Sequence, residues 1–145
     1  MAKIHLINGE KGGVGKSLFA RVFLEHCRKP ENNYDVQLID ADRTNPDVGL
    51  IYDESTYSGS SSPIYFSDNQ RESHLVDGIF EIAANQTVLV NLPAQVAPLV
   101  DKWIDSNNLL HLGKELKIFF VNWFLCTGGY DSIELFKQVV NKYKK

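Results

Sequence analysis

The sequence predicts an α/β fold, a three-layer sandwich around a mostly parallel sheet. Three observations lead there. Strand-length apolar runs recur at Lys3–Asn8, Asp35–Ile39, Thr87–Leu92 and Leu116–Phe124, and the third is continuous rather than alternating, as in a strand covered on both faces. Between the runs, apolar residues return at helical spacing, most clearly Val96, Leu99, Val100 and Trp103. The first runs end in residues that turn the chain: Gly9, the Asp40–Asp42 pair and Pro93.

A chain of 145 residues, 43% apolar and 23% charged, is expected to form one domain over 1–145 with a sizeable core. The net charge of −3 gives no global attraction to nucleic acid or to an anionic membrane. No apolar run has the length of a membrane span and the first residues lack the apolar core of a signal peptide, so a cytoplasmic protein without membrane contact is expected. Cys27 and Cys126 are far apart without ligand neighbours and read as small buried hydrophobes. The four histidines form no metal pattern.

Along the chain, Lys3–Asn8 runs into a Gly-rich turn, and Phe19, Val22, Phe23 and Cys27 then mark a helix from about Lys16 to Lys29, stopped by Pro30. The strand at 35–39 delivers Asp40 and Asp42 at its carboxyl end. A strand, a helix and a strand suggest a right-handed βαβ unit, whose ligands sit beyond the carboxyl ends of the strands. From Arg43 to Ser62 no periodicity survives, and Ser58–Pro63 reads as a mobile loop. Ile64–Phe66 is a candidate added strand. Helices are expected at about 75–85 and 96–107, the latter with Pro98 in its first turn. After the last strand, Asp131 and Glu134 have capping-box spacing at the head of a final helix. Trp103, Trp123, Phe119 and Phe120 read as core rather than as a stacking platform, and Lys142, Lys144 and Lys145 as a solvated helix end.

The chemistry concentrates in Glu10–Ser17, EKGGVGKS. Three glycines let successive N–H groups turn towards one anion, and the helix that follows brings its unpaired N–H groups to the same place. Lys16 adds a cation and Ser17 a hydroxyl able to ligate Mg²⁺ beside a phosphate. A nucleoside triphosphate site is the expectation.

KGGVGKS resembles the deviant Walker A motif of the ParA/MinD ATPases, P-loop NTPases of the SIMIBI class. With MAKIHLINGEKGGVGKS, NLPAQVAPLVDKWI and GGYDSIELF, the whole chain resembles the plasmid conjugal-transfer and mobilisation ATPases of the TraL/MobD kind. The resemblance implies ATP and Mg²⁺, with Lys11, Gly12, Gly13, Val14, Gly15, Lys16, Ser17 and Leu18 at the nucleotide. Lys16 would span the β/γ oxygens and Ser17 would hold the metal. Asp40-Ala41-Asp42 matches the D-x-D of switch I, with Asp42 tied to hydrolysis and Asp40 reaching the metal through water.

Lys11 matches the signature lysine that crosses to the neighbour's phosphates, so an ATP-dependent homodimer is implied, with Lys11, Lys16 and Asp42 as catalytic residues. At the Walker B position Asn91 replaces aspartate and would reach Mg²⁺ only weakly, through water, which favours slow hydrolysis. Plasmid partition or mobilisation, with DNA or a partner protein, is the implied setting. The family continues through a further strand and helix, so a short or truncated form is also an expectation. An ATP-gated binding module with negligible turnover stays open as the alternative. A metabolic P-loop enzyme or metallocluster carrier is disfavoured, since neither cysteine has cluster-ligand spacing.

Overall fold

The apolar runs at 3–8, 35–39 and 87–92 become strands covered by helices on both faces. The structure, a computed structural model, describes residues 1–32, 34–52 and 63–144. In order these form β1 (Ala2–Asn8), α1 (Lys16–Arg28), β2 (Val36–Asp40), α2 (Asp47–Tyr52), α3 (Gly78–Ala83), β3 (Thr87–Asn91), α4 (Ala97–Ser106), α5 (Leu109–Leu116), β4 (Ile118–Phe124) and α6 (Tyr130–Tyr143). A 3₁₀ turn at Ser73–Asp77 leads into α3.

The strands make one parallel sheet in the order β2-β3-β1-β4. Side chains alternate between its faces. Ile4, Leu6, Val88 and Val90 pack with Ile79, Val100, Trp103 and Ile104 of α3 and α4. Ile7, Leu38 and Leu89 pack with Ala20 and Leu24 of α1 and Val48 of α2. With both faces of β1 and β3 buried, an apolar residue is favoured at nearly every position there, hence their continuous runs.

β3 lies between β1 and β2, so the crossover from β1 through α1 to β2 passes over one strand, and the strand that ends at Asn91 stands beside β1. The chain leaves β1 through α1 on one face and leaves β3 through α4 on the other. The carboxyl ends of these adjacent strands therefore form a topological switch point, where α/β sheets hold ligands.

Other details differ locally. The helix expected at 75–85 is a 3₁₀ turn followed by α3. No strand forms at 64–66, although Ile64 and Tyr65 are buried. α2 and α5 stand where no helix was expected. α6 begins after Gly129 without a side-chain cap, so the Asp131/Glu134 box is not made. Cys27 is buried as expected but Cys126 is exposed. Trp103 is core, whereas Phe119 and Trp123 stay 44% and 37% exposed along β4, the strand at the sheet edge. The loop expected at 58–63 lies, apart from Pro63, outside the described residues, and Lys145 does too. Among the described residues no helix is long and apolar enough to cross a membrane.

Candidate functional site

The loop after β1 is shaped by its glycines and closed by its lysine. A Cβ on Gly9 would lie 2.9 Å from Val14 Cγ1 and 3.2 Å from the Leu125 carbonyl oxygen, so only glycine lets the loop pass the end of β4. Gly13 and Gly15 have φ of 75° and 101°, in the left-handed region where side chains are strained. α1 starts at Lys16, which places the unpaired N–H groups of its first turn at the loop. Ser17 is its second residue. Gly12 is exposed, Val14 is half-buried and Leu18 turns outward.

Lys16 Nζ donates to the carbonyls of Gly9 and Lys11, each at 3.1 Å. The ammonium is buried inside the curl of its own loop. Burial lowers its pKa, and the charges of Asp42 and Glu10 oppose that shift. Lys11 points elsewhere: its Nζ is 3.9 Å from Asp131 Oδ2 at the head of α6, with both side chains mostly exposed.

Asp40 and Asn91 stand directly opposite each other at the ends of β2 and β3. Asn91 Nδ2 donates to Asp40 Oδ1 at 3.1 Å, and the Asp42 N–H reaches the same oxygen at 3.3 Å. Asp40 Oδ2 accepts the N–H groups of Val48 and Gly49, at 3.0 and 2.9 Å, from the first turn of α2. Asn91 Oδ1, fully buried, has no hydrogen-bond partner. Asp42 Oδ1 accepts the Thr44 hydroxyl at 3.0 Å and the N–H groups of Thr44 and Asn45 at 3.2 and 3.1 Å, tying the corner after β2 into an Asx turn.

One contributor escaped the sequence reading. Gln95, in the loop after β3, has φ 59° and donates its N–H to the Glu10 carbonyl at 3.3 Å. A non-glycine residue held in the left-handed region beside the Gly-rich loop stores strain. Nothing in its sequence context signals that conformation. The Lys11–Asp131 contact was equally illegible, because Asp131 read as a helix cap.

The structure therefore gathers Lys16, Ser17, Asp40, Asp42 and Asn91 at the switch point, while Lys11 faces α6 and Leu18 faces outward. Among the described residues no group of three or more His, Cys, Asp or Glu side chains is arranged to hold a metal ion. The donors present fit a metal only in part. The buried Asn91 carbonyl oxygen and the Ser17 hydroxyl suit a hydrated Mg²⁺ that takes its remaining oxygens from phosphate, whereas both oxygens of Asp40 are already occupied by N–H donors.

No protein-family model matches the chain. Over 142 residues it is 32% identical to protein MobD of Acidithiobacillus ferrooxidans, a match that takes in 97% of this chain and 59% of MobD. The chain thus spans about three-fifths of the length of the curated relative that it matches.

Proposed function

We propose that the chain is an ATP-binding, slowly hydrolysing ATPase of the ParA/MinD type, serving plasmid mobilisation or partition. The observation that carries this reading is Lys16. It is a buried ammonium folded into a glycine loop at the switch point, held by two carbonyls that anionic oxygens could replace. On nucleotide binding Lys16 would exchange these carbonyls for β- and γ-phosphate oxygens. The N–H groups of Gly13 to Ser17 would line the phosphates, and the Ser17 hydroxyl would hold Mg²⁺. The metal supplies neutralisation of charge on the phosphates. Asp42, already within electrostatic reach of Lys16, would orient the attacking water.

Lys11 is largely exposed, and among the described residues its side chain makes a long surface ion pair worth at most about 1 kcal/mol. It is therefore free to serve the nucleotide of a second copy, in keeping with an ATP-dependent homodimer. The similarity to MobD, with the resemblance to conjugal-transfer ATPases, supports a role in DNA mobilisation, with DNA or a protein of that machinery as partner.

Calorimetric titration with ATP and Mg²⁺, paired with sedimentation velocity, tests both parts. The unmutated protein should bind and sediment as a dimer with ATP. Lys16→Ala should lose binding by about 10- to 100-fold, as expected for losing a charge-assisted contact of about 1.5–3 kcal/mol. Lys11→Ala should bind yet stay monomeric. Absence of ATP binding by the unmutated protein would end the proposal. A second reading, an ATP-gated binding module with negligible turnover, is favoured by the neutral Asn91 at the metal-facing strand end. Phosphate release that depends on Asp42 separates the two.

A further inference from the structure

We infer that Asp40 and Asn91 form a positioning pair, in which the Asn91 amide commits the Asp40 carboxylate to the α2 corner and leaves Asp42 as the carboxylate of the D-x-D segment that faces the ligand. The functional half of this inference rests on the nucleotide-site reading; the geometric half does not. Asp40 is buried and accepts four N–H groups: two from α2, one from Asp42 and one from Asn91. A carboxylate oxygen has two lone-pair directions, so these four donors fill it. Nothing is left with which Asp40 could take a metal-bound water unless the corner opens.

Asn91 is the residue that makes this arrangement possible. Its amide is a donor towards Asp40, and the strand ends are pinned so closely that the Ala41 N–H also bonds the Asn91 carbonyl at 3.0 Å. Aspartate at position 91 would place a second anionic oxygen at about the same 3.1 Å from Asp40 Oδ1, inside a site too buried for water to screen it. Only a cation between the two, or release of Asp40 from α2, would relieve that contact. The amide at 91 and the capping role of Asp40 are thus two halves of one device. Because the Asp42 N–H shares Oδ1 of Asp40, the same device sets where Asp42 stands.

Asn91→Asp and its combination with Asp40→Asn, the double swap, made in the 145-residue chain, test the pair without nucleotide. Melting temperatures are read in EDTA and again in millimolar Mg²⁺. Asn91→Asp should melt several degrees below the unmutated protein in EDTA and regain most of that loss with Mg²⁺, whereas the unmutated protein should show no Mg²⁺ response. In the swap, the amide now at position 40 can donate to the carboxylate now at position 91 while its oxygen still accepts from Val48 and Gly49, but the Asp42 N–H loses its acceptor, so about half of the loss, not all of it, should return in EDTA. Should Asn91→Asp not fold, a folded swap still supports the pair and an unfolded one overturns it. An Asn91→Asp protein as stable as the unmutated one in EDTA, or equally destabilised with and without Mg²⁺, also overturns it. None of these readouts uses ATP, so a failure of the nucleotide reading, seen as no ATP binding by the unmutated protein, is distinguished from a failure here.

Discussion

His5 has its ring against Phe23, at 4.9 Å between centroids, and accepts the Trp123 indole N–H on Nδ1 at 3.0 Å. That bond needs Nδ1 free of its proton, so the neutral ring carries hydrogen on Nε2. Burial, with a smaller contribution from Lys3, lowers its pKa from the ordinary 6.5. The folded state therefore binds this proton less readily than the unfolded chain. The stability it contributes is complete above pH 6.5 and declines as pH falls below that value towards the lower folded pKa. Urea unfolding at pH 7.5 and pH 5 should show this decline in the unmutated protein and a shallower one in His5→Phe. Equal losses in the two proteins would remove His5 as the cause.

Elements here start and stop for reasons of different range. α5 meets β4 through two local features. Lys117 takes a left-handed conformation, φ 57°, with its N–H bonded to the Gly113 carbonyl. A Cβ on Gly113 would lie 2.6 Å from the Ile118 carbonyl oxygen. Lys117→Gly should relieve left-handed strain and stabilise by about 1 kcal/mol, raising the melting temperature by roughly 3 °C in a chain of this size. Gly113→Ala should lower it, because backbone rather than a flexible side chain blocks the methyl; an unchanged Tm in both variants would refute this junction. Sequence reasoning missed α5 because the preceding helix reads as ending at about Asn107, whereas Asn108 adopts a left-handed turn that starts a new helix immediately. It missed α2 for a non-local reason. Pro46, Asp47 and Gly49 look like loop, and the helix is held at its start by the carboxylate of Asp40. The Gly-rich loop and α1, by contrast, are specified by adjacent residues and were legible.

At the scale of the molecule, local sequence pattern revealed both layers of helices, while the order of the strands was legible only so far as the family resemblance set the Asn91 strand beside β1. Nothing local in TVLVN says that β3 inserts between β1 and β2, and the Asp40–Asn91 pair exists only through that insertion. In the final helix Ile133, Phe136, Val140 and Tyr143 recur on one face, a stripe that by sequence alone would pack, and here the structure departs. α6 buries only Ser132, leaving Phe136 and Val140 43% and 38% exposed over a cavity of about 880 Å³ that Ile104, Phe120 and Phe124 line from the other side. Polar contacts hold its far end: Tyr143 donates its hydroxyl to Asp101, and Lys142 pairs with Asp101 at 2.9 Å and Asp105 at 3.3 Å. Desolvation and Asp101 together raise the Tyr143 pKa, so the phenol stays a donor at physiological pH. A helix with so little buried area and so few anchors should open below the global unfolding free energy. Amide hydrogen exchange should therefore be faster in α6 than in β1 and β3. Asp101→Ala removes acceptors for two anchors, worth about 1–2 kcal/mol together, and should speed α6 exchange about tenfold while β1 and β3 hold their rates. If α6 exchanged as slowly as β1, or if Asp101→Ala accelerated the sheet equally, α6 would belong to the same cooperative unit as the sheet and Asp101 would be a core contact rather than a latch.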